Sequence, residues 1–204
     1  MPLKNFKFLG HIIDEHLTWE DHISHVRSKI SSGNYALART KNFLPPKVRL
    51  ALYNSLVRSH LEYGIITWGG ARVSKLRPIE ITQKKAIRNV AGKPSNSHTE
   101  PLFSALEVLK FSDLFRYNCA IFMYKYHNKC LPVSFSGMFT PLAEPNRTLS
   151  YKIPRSINSF VDQLPPAFLP RIWNSLDKKL KTANSLSTFK RAIQNSIISN
   201  YESG

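Results

Sequence analysis

Two cysteines, Cys119 and Cys130, are all that this 204-residue chain contains. That is too few for a disulfide framework or a cysteine-based zinc knuckle, so both are expected to be reduced and structural. Acidic side chains are also scarce, with 13 Asp and Glu against 29 Lys and Arg. They are scattered, and none forms the close aspartate pair that a two-metal transfer site needs. The nearest carboxylate neighbours, Asp14-Glu15 and Glu20-Asp21, fall at predicted turns or helix starts, where capping accounts for them. No apolar run approaches the roughly 20 residues of a spanning helix. The N-terminus lacks the apolar core of a secretory signal. Nor is there a glycine-rich phosphate loop, a nucleophile elbow, or a cysteine with an evident catalytic histidine. These absences predict a soluble intracellular chain with no cofactor and no chemistry of its own.

What is present is enough apolar material for a real core, 42% hydrophobic and 11% aromatic residues, and a large positive charge of +16. The length permits one domain or two small ones. So large a cationic excess predicts an anionic partner, nucleic acid first and a membrane surface second. His11, His16, His22 and His25, near Asp14, Glu15 and Asp21, invite a metal reading. His22 and His25 could share a helical face, but no HExxH-type pattern accompanies them and no metal is expected.

The clearest helix lies within residues 50–70. Tyr53, Leu56, Val57 and Leu61 recur at helical spacing while Asn54, Arg58 and Glu62 point elsewhere. Pro45-Pro46 fixes its entry and Gly69-Gly70 supplies an end. Between them, Tyr63-Gly-Ile-Ile-Thr-Trp68 is apolar almost throughout and fits a buried helix or a short strand equally. Upstream, Phe6 and Phe8, then Ile12 and Ile13, form two strand-like runs around Gly10, with a turn at Asp14-Glu15. Such a hairpin is marginal alone and needs helices or a sheet to rest on. Thr18 is the predicted N-cap of the next helix, with Asp21 closing a near capping box and Ile23, Val26 and Ile30 as its apolar stripe.

Ser74 is the predicted cap of a helix running to Val90 and closed by Gly92, with Leu76, Ile79, Ala86, Ile87 and Val90 inward. Further helices are predicted from Thr99 to Leu109 and from Ser112 to Lys129, the latter with an aromatic stripe that reads as core. Seven of the thirteen prolines fall within 132–170, so that segment is expected to be irregular, with an extended stretch at 146–154. Helical character resumes at Arg171–Leu180, with Lys178, Lys179 and Lys181 outward, and again at Ser187–Ile198. The fold class is therefore mainly α: a multi-helix bundle with a small N-terminal β-hairpin and a proline-rich irregular segment.

Two cationic groups stand out. Arg27, Ser28 and Lys29 lie opposite the first helix's apolar stripe, followed by Arg39 and Lys41. Lys84, Lys85 and Arg88, with Lys93 beyond, form the densest basic patch on any predicted helix. Either could be an ordinary solvated face, and positive charge in a last turn also suits the helix dipole.

The order of the motifs is informative. Lys7-Phe-Leu-Gly10 is followed by His22-Ile23, Tyr53-Asn-Ser-Leu56, Tyr63-Gly64, Trp68-Gly69, Gln83-Lys-Lys-Ala-Ile-Arg88, Trp173-Asn-Ser-Leu176 and Ser187-Thr-Phe-Lys190. In order and spacing this series resembles the downstream portion of reverse transcriptases from jockey-like non-LTR retrotransposons, over nearly the whole chain. The resemblance implies that residues 1–17 match the last hairpin of the palm, near the primer terminus. It implies a helical thumb at 18–92, which holds the template–primer duplex, and a C-terminal helical region at 93–204.

In that family the catalytic aspartates precede the Phe-Leu-Gly segment, so the resemblance carries over duplex holding and not polymerase activity. The implied partners are an RNA–DNA or DNA duplex, bound with little sequence preference, and the palm and fingers of a polymerase, in the nucleus or cytoplasm and away from membranes. Backbone contacts would come from Arg27, Ser28, Lys29, Arg39 and Lys41, then from Lys84, Lys85, Arg88 and Lys93. The alternative is a protein-interaction module, or a retroelement remnant with no function, whose exposed apolar surface is normally covered.

Overall fold

A computed structural model describes residues 5–142, 149–155 and 161–202. It is mainly helical, with one two-stranded antiparallel hairpin at the start. Strands β1 (Asn5–Phe8) and β2 (His11–Asp14) pair with Phe8 opposite His11 and Asn5 opposite Asp14. The two-residue turn, Leu9-Gly10, has both φ angles positive (46° and 82°), the turn geometry that follows the strands' twist.

Helix α1 (Glu20–Thr40) begins differently from the predicted Thr18 cap. Trp19, at φ 62°, occupies the cap position without a side-chain hydrogen bond. The Asp14 carboxylate instead accepts the backbone N–H groups of His16 (3.2 Å), Thr18 (2.9 Å) and Trp19 (2.8 Å) and the Thr18 hydroxyl (3.2 Å). A carboxylate has lone pairs for several donors where a hydroxyl serves one or two, so the strand's last residue takes over the organising role. Against the cost of partial burial, these bonds hold the Asp14 carboxyl below its ordinary range. Asp21 closes no capping box; it accepts from the Asn5 side chain.

The central segment is helical apart from a turn at Tyr63-Gly64, and Ile65–Trp68 is a short helix rather than a strand. Helix α2 (Pro46–Tyr53) runs into a π-helical turn (Asn54–Arg58) and then α3 (Ser59–Glu62). Gly64, at φ 57°, breaks the chain sharply before α4 (Ile65–Trp68). The break is held by Thr67, whose hydroxyl donates to the Gly64 carbonyl (2.7 Å), and by Trp68, whose indole N–H donates to the Tyr63 carbonyl (3.1 Å). Trp68 is fully buried and stacks on Phe111 at 5.4 Å.

Helix α5 (Val73–Ala91) starts one residue before the predicted Ser74 cap and ends, as expected, at Gly92 with φ 71°. Helix α6 (Glu100–Ala105) stops short of the predicted Leu109, with Glu107 at φ 51° turning the chain. Helix α7 (Phe111–His127) is not capped by Ser112. Its first amides are met by side chains from distant helices: Gln83 Oε1 accepts the Phe111 N–H (2.8 Å) and the Tyr201 hydroxyl accepts the Lys110 N–H (3.0 Å).

The described residues of the proline-rich segment are irregular as far as Gln163, with short 3₁₀ turns at Val133–Phe135 and Val161–Gln163. Of the stretch predicted to be extended, 146–148 lies outside the described residues. Tyr151 bridges Pro141 and is clamped by the Asn174 side chain, which accepts its N–H (2.9 Å) and donates to its carbonyl (2.7 Å). Helix α8 (Pro165–Asn174) begins six residues before the predicted Arg171, because Pro165 and Pro166 fit a first helical turn rather than breaking one. Lys181, expected outward at the end of α9 (Lys178–Lys181), is buried: its ammonium donates to the Asn174 carbonyl (3.2 Å) and lies 5.8 Å from the Trp173 ring centre. Helix α10 (Leu186–Glu202) buries Phe189 and Ile193 as predicted. One continuous apolar core runs from Ile23 on α1 to Ile193 on α10.

Candidate nucleic-acid interface

Three contacts set α1 and α5 side by side and parallel. Lys75 pairs with Glu20 at one end (3.0 Å), the Asn89 amide donates to Asn34 midway (2.7 Å), and the Lys41 ammonium donates to the Lys93 carbonyl at the other end (2.9 Å). The first two contacts share an offset of 55 residues. Both helices therefore end together, at Arg49. This guanidinium is only 5% exposed; it donates to the Lys41 carbonyl (2.7 Å) and lies against Gly92. A buried cation there answers the negative ends of two helix dipoles at once.

The buried stripe of α1 is Ile23, Val26, Ile30, Gly33 and Leu37. At 3.6 residues per turn, Arg27 and Lys29 lie on opposite flanks of that stripe, roughly 160° apart. Ser28 and Arg39 share the outermost face. The four are exposed, but they wrap the free half of the helix instead of lining one edge. Arg27 is on the flank that faces α5, where the 55-residue offset sets it level with Thr82. It is thus within about one turn of the exposed Lys85. Lys41 is engaged in closing α5 through the Lys93 carbonyl; Lys93 itself is exposed.

Lys84 and Arg88 occupy another face of α5, shared with Arg77. They border a groove of about 950 Å³ between α5, the 96–99 loop, α6 and the end of α10. Arg88 Nε donates to the Ser97 carbonyl (2.8 Å), which fixes the loop against the helix. His98 adds a third potential cation to the groove. Among the described residues the groove's one carboxylate, Glu100, is bonded to Lys110 at 2.9 Å. That bond, with Lys84 and His98 nearby, holds it below the ordinary carboxylate range. The groove can therefore accept an anion without first meeting an unpaired negative charge.

A third cationic cluster was missed by sequence reasoning. Lys7 on β1, His25 and Lys29 on α1, and His60 on α3 are close enough for the other three to depress the basicity of His25, after burial has done so. Helical spacing pairs His25 with Lys29, but nothing local brings in Lys7 or His60. Of the remaining histidines of the predicted group, His11 and His22 stack on one another at 4.9 Å, while His16 is exposed. His16 faces Glu15 at 3.2 Å, and the His22 Nδ1 accepts the Ile12 N–H at 3.4 Å. Among the described residues no three His, Cys, Asp or Glu side chains converge on a metal-sized site. Among the same residues no helix is long and apolar enough to cross a membrane.

No protein-family model matches the chain, and no solved structure matches it. It is similar to the RNA-directed DNA polymerase from mobile element jockey of Drosophila melanogaster, with 30% identity over 112 residues, 53% of this chain and 12% of that protein. The corresponding jockey protein of Drosophila funebris is 34% identical over 116 residues, 54% of this chain and 12% of its own length. The probable RNA-directed DNA polymerase from transposon X-element of Drosophila melanogaster is 27% identical over 89 residues, 42% of this chain and 10% of that protein. The chain thus spans only about a tenth of the length of these relatives. It resembles part of a non-LTR retrotransposon RNA-directed DNA polymerase, distantly and over about half its own length.

Proposed function

We propose that the chain is a duplex-holding, non-catalytic piece of a retrotransposon reverse transcriptase, with 18–92 as a thumb-like domain, 1–17 as the last hairpin of the palm and 93–204 as a helical C-terminal region. It grips the phosphate backbone of an RNA–DNA or DNA duplex and leaves the chemistry to residues elsewhere in a longer polymerase. The observation that carries this reading is the state of the cations. Arg27, Lys29, Arg39, Lys84 and Lys85 are exposed, and among the described residues none of them makes an ion pair. Unpaired guanidinium and ammonium groups on helix surfaces suit phosphates and carry no base readout. The partial similarity to RNA-directed DNA polymerases supports the same partner.

The test is binding of the chain to a labelled RNA–DNA hybrid across a salt series. With about five phosphate contacts, log affinity falls against log salt with a slope near −4.5, about −0.9 per contact. Changing Arg27, Lys29 and Arg39 together to Ala should make the slope shallower by about 2 to 3. Absence of binding, or a slope indifferent to the triple change, overturns the reading.

One observation favours a protein-docking alternative. Phe6 and Phe8 are each more than half exposed and stack on one another at 6.2 Å, beside the exposed Leu9. Salt-insensitive binding to a protein partner, lost in Phe6→Ser, would support that alternative.

A further inference from the structure

Two close approaches fix how the hairpin, α1 and the π turn leading into α3 meet. A Cβ built on Gly33 of α1 would lie 2.6 Å from the Leu56 carbonyl, and one on Gly64 would lie 1.9 Å from His11 Nε2. His11 in turn stacks on His22 of α1 at 4.9 Å. Contacts therefore run backwards along α1, from Gly33 to His22, as they run forwards from Leu56 to Gly64, so the two helical segments cross antiparallel. One turn from the Gly33–Leu56 contact this register sets Lys29 beside His60; the next turn along α1 is His25. The hairpin closes the same notch, since Lys7 pairs across the ladder with Ile12, whose N–H is bonded to His22.

Lys7, Lys29 and His60 are exposed and His25 is half-buried. Among the described residues none of the four has a carboxylate partner. Glu62, on the last turn of α3, is already taken by Arg58 through two hydrogen bonds of 2.9 and 3.0 Å. The charged and titratable groups around His25 include Asp21, His22 and Lys29 on its own helix, Lys7 from the hairpin and His60 from α3. Two lysines and two imidazoles from three elements crowd together, and the nearby carboxylates of α1 and α3 are engaged elsewhere: Asp21 by the Asn5 side chain, Glu20 by Lys75 and Glu62 by Arg58.

We propose that this notch is a phosphate site whose hold on a nucleic-acid backbone is coupled to protonation of His25. The inference rests on the duplex-holding function and names a site for it that lies apart from the groove at Lys84 and Arg88. Its physical basis is charge balance. Unoccupied, the notch disfavours a further proton, and burial, Lys29, Lys7 and His60 keep His25 below its ordinary basicity. A phosphate seated between the two lysines reverses the sign of the local field and favours the charged form of His25. Binding then takes up protons, so affinity rises as pH falls; the limit is about tenfold per pH unit for each proton taken up.

The experiment is binding of a labelled RNA–DNA hybrid at fixed salt between about pH 8 and pH 5.5, for the unaltered chain, His60→Gln, the double variant His25→Gln/His60→Gln, and His16→Gln as a control outside the notch. The expected result is an affinity gain of about 10-fold toward low pH in the unaltered chain and in H16Q. The gain should be smaller in H60Q and within about 2-fold of flat in the double variant. H60Q alters an exposed side chain, so it reports on the site even where the double variant folds poorly. Binding that is present but whose pH profile is unmoved by H60Q and by the double variant overturns the notch and leaves duplex holding standing. Absence of binding at every pH overturns both.

Discussion

Two buried polar centres hold this fold together, and they are built on opposite terms. Gln83 of α5, 1% exposed, is fully satisfied: its amide donates to the Tyr53 hydroxyl (2.9 Å) and the Leu109 carbonyl (3.0 Å), and its carbonyl accepts the Phe111 N–H (2.8 Å). One side chain thereby joins α2, α5 and the start of α7. The His11–His22 stack docks the hairpin on α1 and the Gly64 break, but among the described residues both buried Nε2 atoms lack a partner. His22 is 2% exposed, and burial, with His11 and His25 adjacent, lowers its pKa to about 4. A saturated buried amide gives one rigid geometry, whereas the buried His22 imidazole gives a junction that responds to protons. The saturated centre lies in the middle of the bundle and the unsaturated one where the hairpin meets it.

The sharpest way to break this contrast is Gln83→Leu. It orphans a buried N–H and a buried carbonyl and strips the Tyr53 hydroxyl of its donor, at a cost of about 4 kcal/mol, measurable as a loss of urea midpoint. A loss below about 1 kcal/mol would show that Gln83 fills space and does not organise the bundle. Next in size is Gly64→Ala, which puts a Cβ on the His11 ring in a residue at φ 57°. About 2 to 3 kcal/mol should follow, with hydrogen exchange accelerated at the hairpin amides and unchanged at Phe111.

The pH response comes third. In the folded chain His22 stays neutral down to about pH 4, while an unfolded chain's imidazole takes up a proton below about 6.5. Stability should therefore fall as pH drops through that window and level off below it, by about 2 kcal/mol at pH 5 relative to pH 7. His22→Asn, which can keep an acceptor for the Ile12 N–H, should lose this dependence; an unchanged pH profile in that variant would place the titration elsewhere. The smallest effect is Tyr201→Phe. It removes the half-exposed counterpart of the Gln83 cap, the hydroxyl that accepts the Lys110 N–H (3.0 Å) and donates to Asp113 (2.6 Å). About 1 kcal/mol is expected, and a loss equal to that of Gln83→Leu would erase the distinction between the two caps.

Much of this was readable from the chain itself. Ile23, Val26 and Ile30 on α1 and Leu76, Ile79, Ala86, Ile87 and Val90 on α5 are buried as their spacing predicts, because a 3.6-residue period is a local property. Gly10 and Gly92 mark the hairpin turn and the end of α5 for the same local reason. Helix starts were read less well. Thr18, Ser74 and Ser112 look like caps, yet Asp14, Gln83 and Tyr201 supply the bonds around α1 and α7, from positions that sequence proximity does not rank. Lys181 follows two exposed lysines and looks equally outward, until Trp173 and the Asn174 carbonyl cover it.

The cationic surfaces divide in the same way. Sequence alone determined that the chain is mainly helical, that it carries a large positive excess, and that its basic residues lie off the apolar stripes of α1 and α5, since composition and periodicity are complete in the string. Only the tertiary structure decided which of those charges are neighbours. It separated Arg27 from Lys29 by half a helix circumference, spent Lys41 on the end of α5, and gathered Lys7, His25, Lys29 and His60 from three elements into one notch. Those groupings depend on the antiparallel crossing at Gly33 and Leu56 and the parallel register of α1 and α5, and both are set by long-range packing that no local pattern encodes.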